Sequence, residues 1–188
     1  MSEPLAAPAG AGAVTPERFR QVLGAFGTGV AAVAALDAEG RPAGLAVSSF
    51  TSVSLQPPLV SFCVADTSSS WPRLRDAGRL GISVLGDHQL PVCRQFAAKG
   101  PDKFRGVDWR PSPGGALLVG GAISWLECSR QDEYPAGDHV IVLCRVHRLG
   151  TGEAEPPLLF HRGRPGTFRA HPAAHPTNSS GSSDSSDS

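Results

Sequence analysis

Hydroxyl side chains are concentrated in one strand-like segment of the chain, Gly44–Val64. Five of the seven residues from 48 to 54 carry a hydroxyl: Ser48, Ser49, Thr51, Ser52 and Ser54. A strand held in a core would carry Val, Ile and Leu at such positions. Small side chains allow a flat ligand to lie against the backbone, where hydroxyl and main-chain N–H groups can hydrogen-bond its edge. The segment therefore predicts a slot for a planar ligand.

A second hydroxyl cluster, Thr67-Ser68-Ser69-Ser70, directly precedes a predicted helix that starts near Trp71. Free N–H groups at a helix N-terminus and nearby hydroxyls suit a phosphate group. The same pattern is also typical of ordinary capping and loop chemistry, so both interpretations remain open. Lys99 and Lys103 are candidates for the balancing charge, with Lys99 preferred, and each could instead be a solvated surface lysine.

His139 follows Gly137 and Asp138 and opens an apolar, strand-like segment. It could contact a ligand, or it could only begin a strand and pack on Asp138. Glu127 and Asp132 have no spacing that supports a paired-carboxylate site, and no Ser-His-Asp arrangement can be identified.

The four cysteines, at positions 63, 93, 128 and 144, are widely spaced and include no Cys-x-x-Cys pair. We therefore predict buried, reduced thiols, with structural zinc or disulfides as the less favoured alternatives. His171 and His175 lie four residues apart, but Pro172 argues against a helix that presents both. We predict no metal site.

The elements that must position these residues are mostly strands. Thr15 and Pro16 are typical of a helix start, an apolar stripe of Phe19, Val22, Leu23 and Phe26 follows, and Gly27 and Gly29 are expected to end the helix. Further helices are predicted over 71–77 and 89–98. Strands are predicted over 30–36, from the turn at 37–40 to Ser49, and over 59–64, 80–85, 123–130 and 139–149.

Strands without regular strand–helix alternation favour a mainly β fold, an antiparallel barrel with a few short peripheral helices. The sequence has no Gly-x-Gly-x-x-Gly motif, so a nicotinamide cofactor would not be bound in the Rossmann manner. We expect a disordered leader over residues 1–14, a folded domain over 15–169, and a disordered Ser/Asp-rich tail over 170–188.

Charge and hydropathy exclude several classes of partner. The chain of 188 residues has 17 basic and 17 acidic side chains, and 18% of its residues are charged. This balance provides no excess of positive charge that would attract nucleic acid or an anionic membrane. No apolar run approaches the roughly 20 residues of a transmembrane helix, and the N-terminus is a poor signal peptide. We expect a cytoplasmic protein.

Six segments of the chain, in order, resemble motifs of the flavin reductase-like family. They are Phe19–Val30, the segment Gly44–Val64, Thr67–Leu74, Phe96–Phe104 with its Phe-x-x-Lys-x-x-Asp-Lys-Phe pattern, Gly137–His139 and Leu158–Gly163. Together they span about residues 17–169. One such match would be weak evidence, whereas six in the right order are specific. The residues of these motifs are most similar to those of the small reductase components of two-component aromatic and polyketide monooxygenases.

The resemblance implies a Greek-key split β-barrel that acts as a homodimer. It implies NAD(P)H-dependent reduction of FMN or FAD, with diffusible reduced flavin released to a partner monooxygenase. Two alternatives remain open: the same barrel could keep its flavin as an oxidase or oxygenase, or the protein could be a non-enzymatic flavin carrier. The choices of FMN or FAD, of NADH or NADPH, and of the partner enzyme remain open as well.

The resemblance also assigns roles to residues. It implies that His139 contacts the nicotinamide and that Asp138 orients the start of its strand. The implied cofactor-binding residues are Ala46, Val47, Ser48, Ser49, Phe50, Ser52, Val53, Thr67, Ser68, Ser69, Ser70, Lys99, Phe104 and Asp138. His161 and Arg162 are expected near the site. The chain departs from the family pattern at Ala46, often Thr, at Cys144, often Gly, and at Pro165, where an aromatic residue is common.

Overall fold

The computed structural model describes residues 12–100, 102–152 and 155–170. The predicted tail, apart from Ala170, and residues 1–11 of the predicted leader lie outside this part of the chain.

Three α-helices are described: α1 (Pro16–Leu23), α2 (Trp71–Leu74) and α3 (Leu90–Ala97), with a short 3-10 helix at Asp87–Gln89. The strands are β1 (Thr28–Gly29), β2 (Ala31–Leu36), β3 (Pro42–Val47), β4 (Thr51–Leu55), β5 (Pro58–Ala65), β6 (Leu80–Val84), β7 (Trp109–Pro111), β8 (Leu117–Val119), β9 (Ser124–Ala136), β10 (His139–Thr151), β11 (Leu158–His161) and β12 (Arg164–Thr167).

Seven strands form one antiparallel sheet in the order β3-β2-β6-β9-β10-β5-β4. Smaller sheets, β1-β11-β12 and β7-β8, complete the β structure. The prediction of a mainly β fold with a few short helices is confirmed. The two edge strands of the large sheet, β3 and β4, are consecutive in the chain and are separated only by residues 48–50. No strand pairing between these edges is described, so the pairing itself does not close a barrel.

The core lies on both faces of the large sheet. One cluster includes Phe62, Leu74 and Ile82, and the other includes Phe96 and Leu117. Because strand β2 is buried from Ala31 to Ala35, it must pack on both faces, and its alanines leave room for both clusters. Each large side chain so buried stabilises the fold by about 1.5–3 kcal/mol.

Helix α1 begins as predicted, with Pro16 in its first turn and Thr15 accepting a hydrogen bond from the backbone N–H of Arg18 at 3.3 Å. It ends at Leu23, however, before the predicted stop at Gly27, and none of its residues is buried. The expected apolar stripe faces solvent in the single chain, and its side chains are 54–76% exposed: Phe19, Val22, Leu23 and Phe26.

The segment Gly44–Val64 is divided into three strands. Strand β3 ends at Val47 instead of continuing to Ser49, and β4 and β5 form a hairpin whose turn contains a cis peptide bond between Gln56 and Pro57. Helix α2 ends at Leu74, short of the predicted Ala77. The small strands β1, β7, β8, β11 and β12 were not predicted individually, since two to four residues carry little periodic signal.

The described residues contain no helix long and apolar enough to cross a bilayer. Cys93, Cys128 and Cys144 are buried, as expected, and all four cysteines are unpaired. Burial raises the pKa of Cys128 and of Cys144 to about 12, so both remain thiols at neutral pH. Cys63 is only partly buried and differs from the prediction, because its side chain lines a groove.

Candidate functional site

A groove of about 640 Å³ lies beside the break between β3 and β4. It brings together most of the residues that the sequence assigned to binding, although these come from separate parts of the chain. The groove is lined by Leu45, Ala46, Val47, Ser48, Ser49, Cys63, Val64, Ala65, Thr67, Ser68, Ser69, Ser70, Phe96, Ala97, Ala98, Lys99, Lys103 and His139. The small side chains at 46–49 keep the wall beside β3 thin.

Ser49 explains why the chain leaves the sheet at this point. The pairing of Thr51 with Ser61 would, if continued, place Ser49 opposite Cys63. Instead, the Ser49 hydroxyl replaces a backbone partner: it accepts from the backbone N–H of Cys63 at 2.8 Å and lies 3.4 Å from the Cys63 carbonyl oxygen. The Ser49 side chain thus provides the hydrogen-bond acceptor for the backbone N–H of Cys63 on β5, while the backbone at 48–50 turns away from β5. The hydroxyl at 49 holds the groove open.

The turn at 66–70 forms a second wall. Its hydrogen bonds are largely internal, because the backbone N–H of Trp71 donates to Ser68 Oγ at 3.2 Å and that of Arg73 donates to the Ser70 carbonyl at 3.1 Å. Helix α2 that follows has only four residues. So short a helix has little dipole, and the phosphate site predicted over Thr67–Ser70 stays a prediction that depends on the hydroxyls of the turn. Exposed hydroxyls at Thr67 and Ser69 remain available.

Lys103 supplies a partly buried charge to the groove. Its Nζ atom donates to Ser70 Oγ at 2.8 Å and to the Phe96 carbonyl at 2.8 Å. Burial, and secondarily the nearby Arg73 guanidinium, lowers the pKa of Lys103. Lys99 also lines the groove but is exposed. Sequence analysis preferred Lys99 as the better match to the family pattern, whereas the structure gives hydrogen-bond partners inside the groove to Lys103.

His139 lies at the start of β10, paired in register with Ala65 of β5. Its Nδ1 atom lies 2.7 Å from Asp138 Oδ1. That hydrogen bond is the main cause that lowers the pKa of Asp138, with a smaller effect from Arg20 of α1. An ionised carboxylate only accepts hydrogen bonds, so Nδ1 carries the proton and Nε2 of a neutral ring is an acceptor. Asp138 therefore fixes the tautomer and orientation of the ring.

Five predicted binding residues do not line the groove: Phe50, Ser52, Val53, Phe104 and Asp138. Phe50 packs against the core, whereas Ser52 and Val53 are exposed on the edge strand β4. Phe104 is buried with its ring centroid 4.7 Å from that of Phe96. Asp138 acts on the groove only through His139.

Sequence analysis did not single out several residues of the wall. Cys63 and Ala65 lie on one face of β5, and the alternation of Val60, Phe62 and Val64 into the core could have indicated this. His161 and Arg162, expected near the site, are not among the described residues that line the groove. They lie at the β11–β12 turn, where the backbone N–H of Arg162 donates to the Gly24 carbonyl at 2.6 Å.

The arrangement suits a planar ligand that carries an anionic group. Its lining, within the described part of the chain, contains apolar surface, hydroxyls, two lysines and one histidine but no carboxylate. A lysine held between Ser70 and Phe96 can bind a phosphate, and thin walls can bracket a ring system. Without a paired acid and base, the groove is equipped for binding and alignment rather than for proton-transfer hydrolysis.

Comparison with known proteins identifies the family to which the chain belongs. The family model described as "Flavin reductase like domain" matches residues 23–169. A flavin reductase of Pseudomonas putida is 46% identical over 158 residues, which cover 84% of this chain and 93% of that protein. The HsaB reductase subunit of a flavin-dependent monooxygenase from Rhodococcus jostii is 42% identical over 152 residues, covering 81% of this chain and 77% of its own.

A solved structure agrees with these sequence matches. The NADH:FAD oxidoreductase SgcE6 of Streptomyces globisporus superimposes with a TM-score of 0.77 at 37% identity, over 85% of this chain and 99% of that one. The family model covers both the groove and the strands that build it. The resemblance predicted from the six motifs is confirmed, and the chain belongs to the flavin reductase like domain family.

Proposed function

We propose that this protein is an NAD(P)H:flavin oxidoreductase that reduces FMN or FAD and releases the reduced flavin to a partner monooxygenase. The observation that carries the proposal is the groove, which places the thin wall at 46–49 next to Lys103 and His139. Relatives named as a flavin reductase, as the reductase subunit of a monooxygenase and as an NADH:FAD oxidoreductase support it.

The groove fits a flavin by size and by donor chemistry. The wall from Ala46 to Ser49 would bracket the ring system, and the exposed hydroxyls of Ser48, Thr67 and Ser69 would bond its polar edge or its side chain. Lys103, and Lys99 at the rim, would hold the phosphate. Bound flavin would supply the acceptor for a hydride from the nicotinamide. Phe50 and Phe104, which are packed into the core clusters, would support this wall from behind.

His139 would align the nicotinamide. Hydride transfer needs the donor and acceptor carbons at near-attack distance and needs no protein base. An imidazole whose Nδ1 is held by Asp138 presents Nε2 in a fixed direction, as a hydrogen-bond acceptor for an amide group. Its role is therefore positioning, with Asp138 as the residue that orients it.

We also propose that the curved sheet is the split barrel of the family and that the protein is a homodimer. The two edges of the sheet join through residues 48–50, and β3 lies close to β5 as well as to β2. Helix α1 exposes an apolar face, and β4 exposes Val53 and Leu55, at 51% and 88%, along an unpaired edge. A second copy would cover these surfaces. Light scattering should give twice the chain mass.

The unpaired cysteines support a cytoplasmic location.

Steady-state oxidation of NADH and NADPH, with and without added FMN, FAD or riboflavin, tests the proposal. A rate that saturates with free flavin and needs no third substrate supports a diffusible-flavin reductase. A tightly bound flavin that is not turned over by either nicotinamide would instead favour an oxidase or a carrier.

A further inference from the structure

Gln95 lies on helix α3 and does not line the groove, yet its side chain contacts the segment that supplies Lys103. Its Nε2 atom donates to the Lys103 carbonyl at 3.0 Å and to the Arg105 carbonyl at 2.9 Å. Two carbonyl acceptors require an NH2 group, so the chemistry of the contact fixes the orientation of the amide. Among the described residues, no backbone N–H donates to either carbonyl. The turn at 103–106 therefore depends on the Gln95 side chain for these two hydrogen bonds.

Lys103 in turn donates a hydrogen bond to the same helix. Its Nζ atom donates to the carbonyl of Phe96, the residue after Gln95, at 2.8 Å. Gln95 thus holds the backbone of Lys103 and Phe96 holds its ammonium group, so both ends of the lysine are tied to the last turn of α3. A free lysine side chain has a large rotamer entropy, and fixing it before a ligand arrives lowers the cost of binding.

Ser70, the second partner of the Lys103 ammonium group, lies in a segment that is anchored elsewhere. Arg73, which follows in α2, donates to the buried carboxylate of Asp37 from Nε at 3.1 Å and from a terminal nitrogen at 2.6 Å. Asp37 lies between β2 and β3, so this anchor does not involve Gln95. The Gln95 bonds therefore act on the lysine side of the contact between Lys103 and Ser70.

Phe104 should keep this segment folded when the Gln95 bonds are lost. Its ring is buried, and its centroid lies 4.7 Å from that of the Phe96 ring. Gly44 of β3 permits this packing, because a Cβ atom there would lie 2.9 Å from the Phe96 ring and 3.2 Å from the Phe104 ring. Loss of the Gln95 amide should therefore free the Lys103 side chain and leave the aromatic packing in place.

We infer that Gln95 is a positioning residue for phosphate binding, which directs the remaining N–H group of Lys103 into the groove. The inference rests on the function proposed above and adds to it a residue outside the groove. Both amide protons of Gln95 are used on the carbonyls at 103 and 105, so Gln95 acts on the ligand only through Lys103. Its effect should be restricted to flavins that carry a phosphate, FMN and FAD, and should be absent for riboflavin.

Replacing Gln95 by Met tests this inference, because Met has a similar length and helix propensity but no N–H group. The Kd values of oxidised FMN and riboflavin would be measured by fluorescence titration, without nicotinamide. Kd for FMN should rise by roughly 3- to 10-fold, whereas Kd for riboflavin should change by less than about 2-fold. Equal effects on the two flavins, or no effect on either, would refute a role in phosphate binding.

A double-mutant cycle shows whether Gln95 acts through Lys103. In the Lys103→Gln background, Gln95→Met should raise Kd for FMN by less than about 2-fold, because the ammonium group that Gln95 positions is already gone. Effects of the two substitutions that multiply independently would contradict the inference.

Gln89→Met is the matched control. Gln89 is a buried glutamine outside the groove, and its Nε2 atom also braces a loop, by donating to the Gly120 carbonyl at 2.7 Å. This variant should have a lower Tm, yet the ratio of its Kd values for FMN and riboflavin should equal the wild-type ratio. The same shift of this ratio in Gln89→Met and Gln95→Met would show a general loosening of the fold and would overturn the inference.

The binding assay keeps this inference distinct from the proposed reaction. Gln95-dependent binding of FMN by a protein in which neither nicotinamide reduces the flavin would leave the inference standing and refute the reductase. Normal flavin reduction, together with a Gln95→Met variant whose ratio of Kd values equals that of the wild type, would refute the inference alone.

Discussion

The Nζ atom of Lys103 lies 2.8 Å from the Oγ atom of Ser70, and this contact joins the two sides of the groove. Ser70 ends the turn that follows β5, and Lys103 comes from the segment after α3, whose Phe96 carbonyl accepts from the same ammonium. A half-buried lysine with two fixed partners presents its remaining N–H group in a defined direction. The ammonium group of Lys103 therefore also holds together the segments that form the groove.

Replacing Lys103 by Gln should weaken the binding of phosphorylated flavins. Loss of a charge-assisted hydrogen bond is expected to raise KM for FMN by roughly 10-fold, while KM for riboflavin, which has no phosphate, should change little. Lys99→Gln, at the exposed rim, is the matched control and should have a smaller effect. Equal effects of Lys103→Gln on FMN and riboflavin would contradict the assignment of Lys103 to the phosphate.

The lowered pKa of Lys103 predicts a pH dependence. A lysine loses its positive charge as the pH rises through its pKa, and burial beside Arg73 brings that loss to lower pH than for an ordinary lysine. The Kd for FMN should therefore increase as the pH is raised, before exposed lysines deprotonate. Fluorescence titrations with FMN over an alkaline pH series test this. The Lys103→Gln variant should show a flatter profile, and an identical profile would assign the titration to another group.

Removing the imidazole of His139 should separate alignment from flavin binding. In His139→Ala, kcat should fall by roughly 10- to 100-fold because the nicotinamide is less well aligned, whereas Kd for flavin should remain within a few fold. His147→Ala alters another histidine of β10, one bonded to Ser129 at 2.8 Å, and serves as the control. Unchanged NADH oxidation in His139→Ala would refute the role given to His139.

Ser49 and Ser52 carry the same side chain in the same motif but should differ in effect. Ser49→Ala removes the partner of the Cys63 backbone, so the wall at 48–50 should loosen and KM for FMN and riboflavin should both rise, by roughly 3- to 10-fold. Ser52→Ala removes an exposed hydroxyl on β4 and should leave both constants unchanged. A larger effect of Ser52→Ala than of Ser49→Ala would show that Ser52 contacts the flavin, as the sequence resemblance implies, and would contradict the assignment of the flavin to this groove.

The Asp37–Arg73 pair should stabilise the fold in a pH-dependent way. The folded pKa of Asp37 is about 2, below its ordinary value, so its contribution is complete above the unfolded pKa of about 4 and is lost as the pH falls towards 2. Asp37→Asn should therefore lower Tm at pH 7 by roughly 5 °C or more, and the gap to wild type should narrow in acid. A gap that is constant with pH would exclude the charge as its cause.

The sequence predicted those features that depend on local pattern. Alternation of apolar residues located β5 and β10, and Thr15 with Pro16 located the start of α1. The small residues at 46–49 and the hydroxyls at 67–70, which the sequence assigned to one ligand, line the same groove in the structure. The order of the six motifs was enough to identify the family, whose model matches residues 23–169.

Features that depend on tertiary contact were not predictable in this way. The sequence favoured Lys99 over Lys103, and the contacts of Lys103 with Ser70 and Phe96 appear only in the structure. The Ser49 hydroxyl was assigned to a ligand, and its bond with the Cys63 backbone at the strand edge could not be predicted. The apolar stripe of α1 predicts a buried face, but no described part of the single chain covers it. Helical periodicity indicates that a face is apolar and does not indicate which surface packs against it.

The most direct test of the central claim is the number of flavin molecules reduced per protein molecule. NADH would be added anaerobically to a small amount of protein in a large excess of FMN or FAD, and bleaching of the flavin absorbance would be followed. A diffusible-flavin reductase should reduce nearly all of the flavin, many equivalents per protein chain. Bleaching that stops at about one equivalent per chain would show a retained flavin and would contradict the release of reduced flavin to a partner.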